Sequence, residues 1–169
     1  PKETLIVVTA DHETGGIALG TGKYALNLKA LENQKASAEV LSKKISDLRK
    51  AKNNHVAWED IKNLLSEEMG FWSVLPITWE QEKKLRDEYE KSFVRNKVEF
   101  AESMYAKTEP MAAKAKEVMD QIAMVGWTSG GHSAGYVPVF AIGAGSDLFI
   151  GKMDNTEIPK RIAKAGGYK

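Results

Sequence analysis

The hydrophobic positions follow two patterns, strand-like at both ends of the chain and helix-like between them. Residues 4–9 form an uninterrupted β-branched and apolar run, which is typical of a strand buried on both faces of a parallel sheet. The run ends at Asp11 and His12, and Gly15 and Gly16 then allow the chain to turn away. After Gly22 the spacing becomes helical for about a hundred residues, and strand-like runs return near residue 124.

Amphipathic spacing in the middle of the chain predicts four helices. Local signals mark their ends: Gly70 closes the second helix, Thr78 and Gln81 form a capping box before the third, and Pro110 begins the fourth. The predicted spans are 37–51, 58–69, 79 to about 94, and 110 to about 122, with a short helical piece at 98–105.

The last part of the chain predicts two strands and a helix. A strand is expected at 136–142, with Pro138 favouring an edge or early position, and a shorter strand at 148–150. Asp154 or Asn155 is expected to cap a final helix that ends at Gly166. The chain is thus expected to be one α/β domain with three parts: residues 1–26 with a strand and a ligand turn, a helical insertion at 27–123, and residues 124–169 with strands, a second ligand turn and the last helix.

The predicted strand at residues 4–9 lies very close to the first residue of the chain. A buried strand so close to Pro1 would be an exposed edge unless more sheet lies beside it, so we expect this chain to be a piece of a longer protein. The uncovered strand also predicts self-association, which makes a homodimer an expected state.

The amino-acid composition argues against several classes of function. The 24 Lys and Arg residues nearly balance the 23 Asp and Glu residues, and the net charge of +1 is too small to attract nucleic acid. No apolar run reaches membrane-spanning length, and no basic-then-apolar leader opens the chain, so neither a membrane nor an export signal is expected here. Without cysteine, a metal would have to be held by Asp, Glu or the three histidines, and the redox compartment stays undecided.

The candidate metal ligands are Asp11, His12 and His132, which lie at turns. Open α/β sheets bind ligands at the carboxyl ends of their strands, and zinc accepts both carboxylate oxygen and imidazole nitrogen. Glycines around His132 would let the backbone approach an ion. The alternatives are structural: Asp11 could cap a helix, His12 could be a satisfied buried side chain, and His132 could be an ordinary loop residue.

Two further polar residues have simpler interpretations. Glu13 could hydrogen-bond a ligating imidazole or face water. His55, in a polar helix junction, is expected to be a solvated surface residue. The glycine-rich turns lack the spacing of a nucleotide-binding P-loop.

Four segments in this order resemble the C-terminal portion of an alkaline phosphatase. They are Thr9-Ala-Asp-His12, Gly126-Trp-Thr-Ser-Gly-Gly-His132, Val137-Pro-Val139 and Asp154-Asn-Thr-Glu-Ile158. The resemblance covers roughly residues 1–20 and 124–167 and implies an α/β/α sandwich of the alkaline phosphatase type. It also implies two zinc ions and a magnesium ion per intact active site, and a serine that attacks a phosphate monoester to form a phosphoserine.

Carried over residue by residue, the resemblance implies that Asp11 and His12 ligate the zinc that activates the serine. His132 would ligate the zinc that binds the leaving-group oxygen and later the attacking water. The family's serine, phosphate-binding arginine, magnesium ligands and remaining zinc ligands lie upstream, so this chain is expected to be inactive alone. After His132 the family usually has Thr-Gly and acidic residues, whereas this chain has Ser-Ala-Gly-Tyr136.

The expected partners are a phosphate monoester substrate and the missing N-terminal portion of the same protein. By resemblance, the intact protein is periplasmic or secreted. Two alternatives remain open: another two-metal phosphoester hydrolase such as a phosphodiesterase, and a non-catalytic helical interaction module in which the same three residues are structural.

Overall fold

The computed structural model describes residues 3–22, 24–102 and 107–168. These ranges contain five α-helices: Ala38–Ala51 (α1), Trp58–Met69 (α2), Trp79–Tyr89 (α3), Pro110–Ala123 (α4) and Glu157–Ala165 (α5). They also contain eight short strands: Leu5–Val8 (β1), Glu13–Thr14 (β2), Ile17–Leu19 (β3), Ala101–Glu102 (β4), Lys107–Thr108 (β5), Val125–Trp127 (β6), His132–Ser133 (β7) and Phe140–Gly143 (β8). None of the described helices is long and apolar enough to cross a membrane.

The chain forms two compact units. One consists of Pro1–Gly16 together with Gly131–Lys169, and the other of Ile17–Gly130. We call them the terminal unit and the helical unit and describe each by itself. The three-part division at residues 26 and 123 stays a prediction.

The helical unit is built around α4. Its apolar face recurs at helical spacing and packs against α1, α2 and α3, which confirms the predicted amphipathic stripes. Burial of each large apolar side chain contributes roughly 1.5–3 kcal/mol, so this core dominates the stability of the unit. Its fully buried members include Ile45, Ile61, Leu65, Phe71, Leu85, Met111, Val118 and Met119.

The predicted helix ends are confirmed by hydrogen bonds. Ser37 Oγ accepts from Val40 N at the start of α1, and Thr78 and Gln81 bond reciprocally at the start of α3. Gly70 ends α2 in the left-handed region at φ 71°, where a Cβ would lie only 2.8 Å from Asn33 Cβ. The third predicted helix does reach residue 94, but its last turn, Glu90–Val94, is a π-helix.

The short helix predicted at 98–105 is wrong for the described residues. β4 pairs antiparallel with β5 instead, and Ala101 lies opposite Thr108. Residues 103–105 of the predicted span lie outside the described residues. A helix of this length is unstable unless an apolar face is packed, and Phe100 is 47% exposed.

The terminal unit contains the opening strand, whose expected environment is wrong. β1 pairs antiparallel with β8, with Val8 opposite Phe140 and Ile6 opposite Ile142, and not within a parallel sheet. These four side chains share one face, which we call the ribbon face, and each is between 47% and 64% exposed. An apolar β-branched run looks the same in sequence whether one or both of its faces are covered.

The other predicted elements of the terminal unit are partly correct. The strand expected from residue 136 begins only at Phe140, and the strand expected at 148–150 is replaced by a 3-10 turn, Ser146–Phe149. Gly145, at φ 77°, lets the chain enter this turn. The last helix is present as α5. The N-cap of α5 is Thr156, and Asp154 Oδ1 accepts from Thr156 N at 3.0 Å in the turn before it.

Candidate metal centre

The two turns that carry the candidate ligands are joined by a short antiparallel pairing. Thr14 of β2 lies opposite His132 of β7, and Glu13 lies opposite Ser133. Gly15 extends the pairing, because its N–H donates to the carbonyl of Gly131 at 2.8 Å. Asp11 and His12 immediately precede β2, so the pairing brings together two turns that lie about 120 positions apart in the sequence.

His12 and His132 lie in direct contact. Their imidazole rings are stacked, with centroids 3.6 Å apart and planes inclined by 29°. The structure therefore brings together the two histidines that the sequence predicts to share a centre, although 120 positions separate them.

Asp11 lies beside the same imidazole. Its Oδ1 accepts from the backbone N–H of His12 at 3.0 Å, and its Oδ2 lies 3.3 Å from His12 Nε2. Two ligand atoms on one tetrahedral zinc ion lie roughly 3.3–3.5 Å apart, given bond lengths of about 2.0–2.2 Å. The side chain of Asp11 is 85% exposed, so its carboxylate is accessible to solvent and to an ion.

The orientation of the His12 ring is set by its other nitrogen. Nδ1 lies 3.0 Å from the carbonyl oxygen of Glu13, and because a carbonyl only accepts, Nδ1 carries the hydrogen and donates it. Thr14 Oγ1 also lies 3.2 Å from Nδ1. Metal-ligating histidines typically donate one ring N–H to a carbonyl in this way and present the other nitrogen to the ion. In His12 that other nitrogen is Nε2, which faces Asp11.

The donor types in this cluster fit zinc. A carboxylate oxygen and an imidazole nitrogen face one another at Asp11 and His12, and the imidazole of His132 stacks on that of His12. Within residues 3–22, 24–102 and 107–168, no group of three or more histidine, aspartate or glutamate side chains is arranged to hold a metal ion. The assignment of the three residues as metal ligands stays a prediction.

Glu13 links the two turns through its side chain. Its Oε1 accepts from Gly16 N at 2.6 Å, and its Oε2 accepts a hydrogen bond from Ser133 Oγ. Gly135 N in turn donates to Ser133 Oγ at 3.2 Å. The sequence has no local signal for Ser133, because its partner lies 120 positions away.

A cleft of about 490 Å³ opens beside Asp11. One wall carries Thr9 and Asp11, and another carries Asn155 and Thr156 from the segment that precedes α5. Thr9 Oγ1 donates to the carbonyl of Pro138 at 3.1 Å, which ties the end of β1 to the segment before β8. The third and fourth sequence segments therefore lie next to the Asp11 turn.

The pKa of Asp154, at the start of this segment, lies below its ordinary value. The main cause is the hydrogen bond from Thr156 N, followed by the bond from the Thr156 hydroxyl. Both bonds favour the ionised carboxylate, so Asp154 is an anion in neutral solution.

His55 does not belong to this cluster of candidate ligands. It lies exposed in the helical unit, and its Nδ1 is 2.9 Å from the carbonyl of Asn53. The prediction of a surface histidine is confirmed.

Comparison with known proteins decides the family. The family model described as alkaline phosphatase matches residues 1–168. The chain belongs to the alkaline phosphatase family. Alkaline phosphatase 3 of Bacillus subtilis (strain 168) is 31% identical over 178 residues, which cover 99% of this chain and 31% of that protein. Alkaline phosphatase 4 of the same organism is 26% identical over 164 residues, or 96% of this chain and 30% of that protein.

Solved alkaline phosphatases have the same fold. The crystal structure of the cold-active enzyme from the psychrophile Shewanella sp. matches with a TM-score of 0.63 and 25% identity, over 97% of this chain and 34% of that one. The Thermus thermophilus alkaline phosphatase matches with a TM-score of 0.57 and 22% identity, over 98% of this chain and 34% of that one. The expected α/β fold of the alkaline phosphatase type is confirmed, and this chain spans about a third of the length of these relatives.

Proposed function

We propose that this chain is the C-terminal part of a zinc-dependent alkaline phosphatase that hydrolyses phosphate monoesters through a phosphoserine intermediate. The serine nucleophile and the magnesium ligands would lie upstream, in the part of the protein that this chain lacks. Membership of the family supports the reaction class. The observation that carries the proposal is the stacked contact between His12 and His132, beside the carboxylate of Asp11.

Asp11 and His12 would hold one zinc ion together. The carboxylate offsets positive charge, and the imidazole presents Nε2 while its Nδ1–H stays bonded to the carbonyl of Glu13. His132 would hold the neighbouring zinc ion. When bound, such a pair of ions stabilises the entering and leaving oxygens of an in-line displacement and lowers the pKa of a bound water.

The role of this chain is therefore positioning. His12 and His132 present their ring nitrogens from adjacent, stacked positions, so two dications bound there would be close neighbours. Close spacing is what a displacement at phosphorus requires, since most of its barrier is lowered by orientation and charge. The exposed carboxylate of Asp11 leaves room for the phosphate group and for ligands from the rest of the protein.

The partners follow from the same assignment. The substrate would be a phosphate monoester, and the remaining zinc and magnesium ligands would come from the N-terminal portion of the same protein. The intact enzyme would be periplasmic or secreted, and it would form a homodimer.

Zinc titration of the chain and of three histidine variants tests the metal assignment. We expect His12→Ala and His132→Ala to weaken zinc affinity by more than about tenfold, because loss of a direct ligand costs more than loss of a residue that only orients one. His55→Ala is the matched control and is expected to bind zinc as the unchanged chain does. If both site variants bind zinc as tightly as the unchanged chain does, Asp11, His12 and His132 are structural. That result would favour the alternative of a non-catalytic interaction module.

A further inference from the structure

We infer that Glu13 and Ser133 are positioning residues, whose side-chain hydrogen bond holds His12 and His132 at the spacing that two neighbouring zinc ions need. The zinc part of this inference rests on the proposed function. The structural part concerns only the contact between the two turns, and it can be tested without metal.

The link connects residues that are each adjacent to a candidate ligand. Glu13 follows His12, and Ser133 follows His132, so a bond between them fixes both backbones next to the rings. The pairing register puts the two directly opposite one another across β2 and β7. A change in this contact would shift His12 relative to His132.

Hydrogen bonds hold the carboxylate of Glu13 at both of its oxygens. Oε1 accepts from Gly16 N at 2.6 Å, and Oε2 accepts from the hydroxyl of Ser133. The hydroxyl oxygen is itself fixed, because Gly135 N donates to it at 3.2 Å. The four groups form one continuous chain of hydrogen bonds from one turn to the other, and the charge of the carboxylate strengthens its bonds.

Gly135 leaves space for this link. A Cβ at that position would lie 3.0 Å from Glu13 Cγ and 3.3 Å from Ser133 Oγ, both tighter than ordinary contact. A side chain there would require the Glu13 side chain and the Ser133 hydroxyl to shift by a few tenths of an ångström. Glycine at position 135 therefore accommodates the link without such a shift.

The backbone pairing alone is a weak means of holding the rings. β2 and β7 contain two residues each, and a two-stranded ladder is marginally stable in water even when it is longer. The His12 side chain is 40% exposed, so packing does not fix it tightly. The side-chain bond between Glu13 and Ser133 adds a second constraint between the two turns, beside the short ladder.

The first experiment measures the rings in the zinc-free chain by NMR. Stacked imidazoles shift one another's ring-proton signals, so these signals report the contact directly. We expect the signals of His12 and His132 to move together toward unstacked values in Glu13→Ala and in Ser133→Ala. Ser133→Thr keeps the hydroxyl and is expected to retain the stacked signals. Glu3→Ala, an exposed glutamate in the same unit, is the matched control.

The second experiment measures affinity for zinc alone. We expect Glu13→Ala and Ser133→Ala each to weaken binding by roughly 10-fold, as the loss of residues that orient ligands generally does. The double variant is expected to bind no more weakly than Glu13→Ala alone, because that substitution already removes the link to Ser133. Circular dichroism checks folding, and Glu13→Gln, which retains the size of the side chain, provides a second variant with an intermediate effect.

Three results would overturn the inference. The first is an unchanged set of imidazole signals in folded Glu13→Ala, the second is a double variant whose losses in zinc affinity add, and the third is zinc binding that is unaffected by either substitution. Failure of the proposed function looks different: if the ring signals respond to Glu13 and Ser133 but the unchanged chain binds no zinc, the positioning role stands and the zinc assignment fails. If zinc binding needs His12 and His132 but ignores Glu13 and Ser133, the zinc assignment stands and the positioning role fails.

Discussion

Arg49 donates from Nη2 to the carboxylate of Glu109 at 2.8 Å, although 60 positions separate the two residues. Glu109 is 1% exposed and also caps α4, since its Oε2 accepts from the backbone N–H of Met111 at 2.8 Å. The guanidinium of Arg49 lies 3.6 Å from the centre of the Phe93 ring, so it connects α1, α4 and the π-helical turn.

This buried pair should be the most sensitive polar contact of the helical unit. We expect Glu109→Ala to lower the free energy of unfolding by about 3–5 kcal/mol, because it leaves the Arg49 cation buried without its partner. Urea denaturation measures the effect. Glu102→Ala is the control, since Glu102 forms an exposed ion pair with Lys107 and should cost no more than about 1 kcal/mol. Equal costs for the two variants would contradict the prediction.

Glu117 should make the stability of the helical unit depend on acid. Burial raises the pKa of its carboxyl, but hydrogen bonds from Lys114 and Lys84 outweigh this and lower the pKa below its ordinary value of 4.5. The stabilisation is therefore present above about pH 4.5 and is lost as the pH falls through the lowered pKa. Because the side chain is 42% exposed, water limits the effect to less than about 1 kcal/mol.

Thermal melts of Glu117→Gln test this direction. The variant should melt below the unchanged chain near neutral pH, and the difference should disappear in acid. In a background that also carries Lys84→Met and Lys114→Met, the pH dependence of this difference should weaken or reverse, because burial then raises the pKa without the two opposing hydrogen bonds. A difference in melting temperature between Glu117→Gln and the unchanged chain that grows as the pH falls would contradict the prediction.

The chain alone should not turn over phosphate esters. The proposed assignment gives it Asp11, His12 and His132 but not the nucleophile, so release of p-nitrophenol from p-nitrophenyl phosphate with added zinc should stay at the background rate. His12→Ala, which removes a proposed ligand, is the control for contaminating phosphatase. Turnover that scales with the concentration of the chain and is lost in this variant would contradict the prediction.

The ribbon face should make the isolated chain self-associate. Ile6, Val8, Phe140 and Ile142 form a contiguous apolar surface on β1 and β8, and exposed apolar surfaces of paired strands favour association. We expect light scattering at micromolar concentration to show a species larger than a monomer, and Phe140→Lys to shift it toward the monomer. Val74→Lys, at a 67% exposed residue of the helical unit, is the control. A monomeric unchanged chain would refute this prediction.

Sequence predicts the helices best, because their signals are local. Each cap acts within four residues of the helix that it begins or ends. The caps are the hydroxyl of Ser37, the reciprocal pair Thr78 and Gln81, and the left-handed Gly70. Strand pairing is a different case. The run Leu5–Val8 carries no local mark of its partner, its direction or the exposed ribbon face, all of which depend on residues 140–143.

The sequence likewise predicts some features of the candidate site and not others. The residue types at Asp11, His12 and His132 are visible in the sequence, and the family resemblance suggests that they converge. The stacking of the two rings and the bond from Ser133 to Glu13 are not visible, since both join residues 120 positions apart. Side-chain links between distant turns have no periodicity by which a sequence could reveal them.

The distribution of buried side chains has a consequence for the metal centre. Among the described residues of the terminal unit, Phe149 is the one apolar side chain that is buried, while the large core lies in the helical unit. A segment with so little core gains much of its order from whatever binds it, because ligand affinity for the folded form becomes folding free energy. Under the proposed assignment, chelation would first loosen the terminal unit, exposing it to proteases while α1–α4 stay intact.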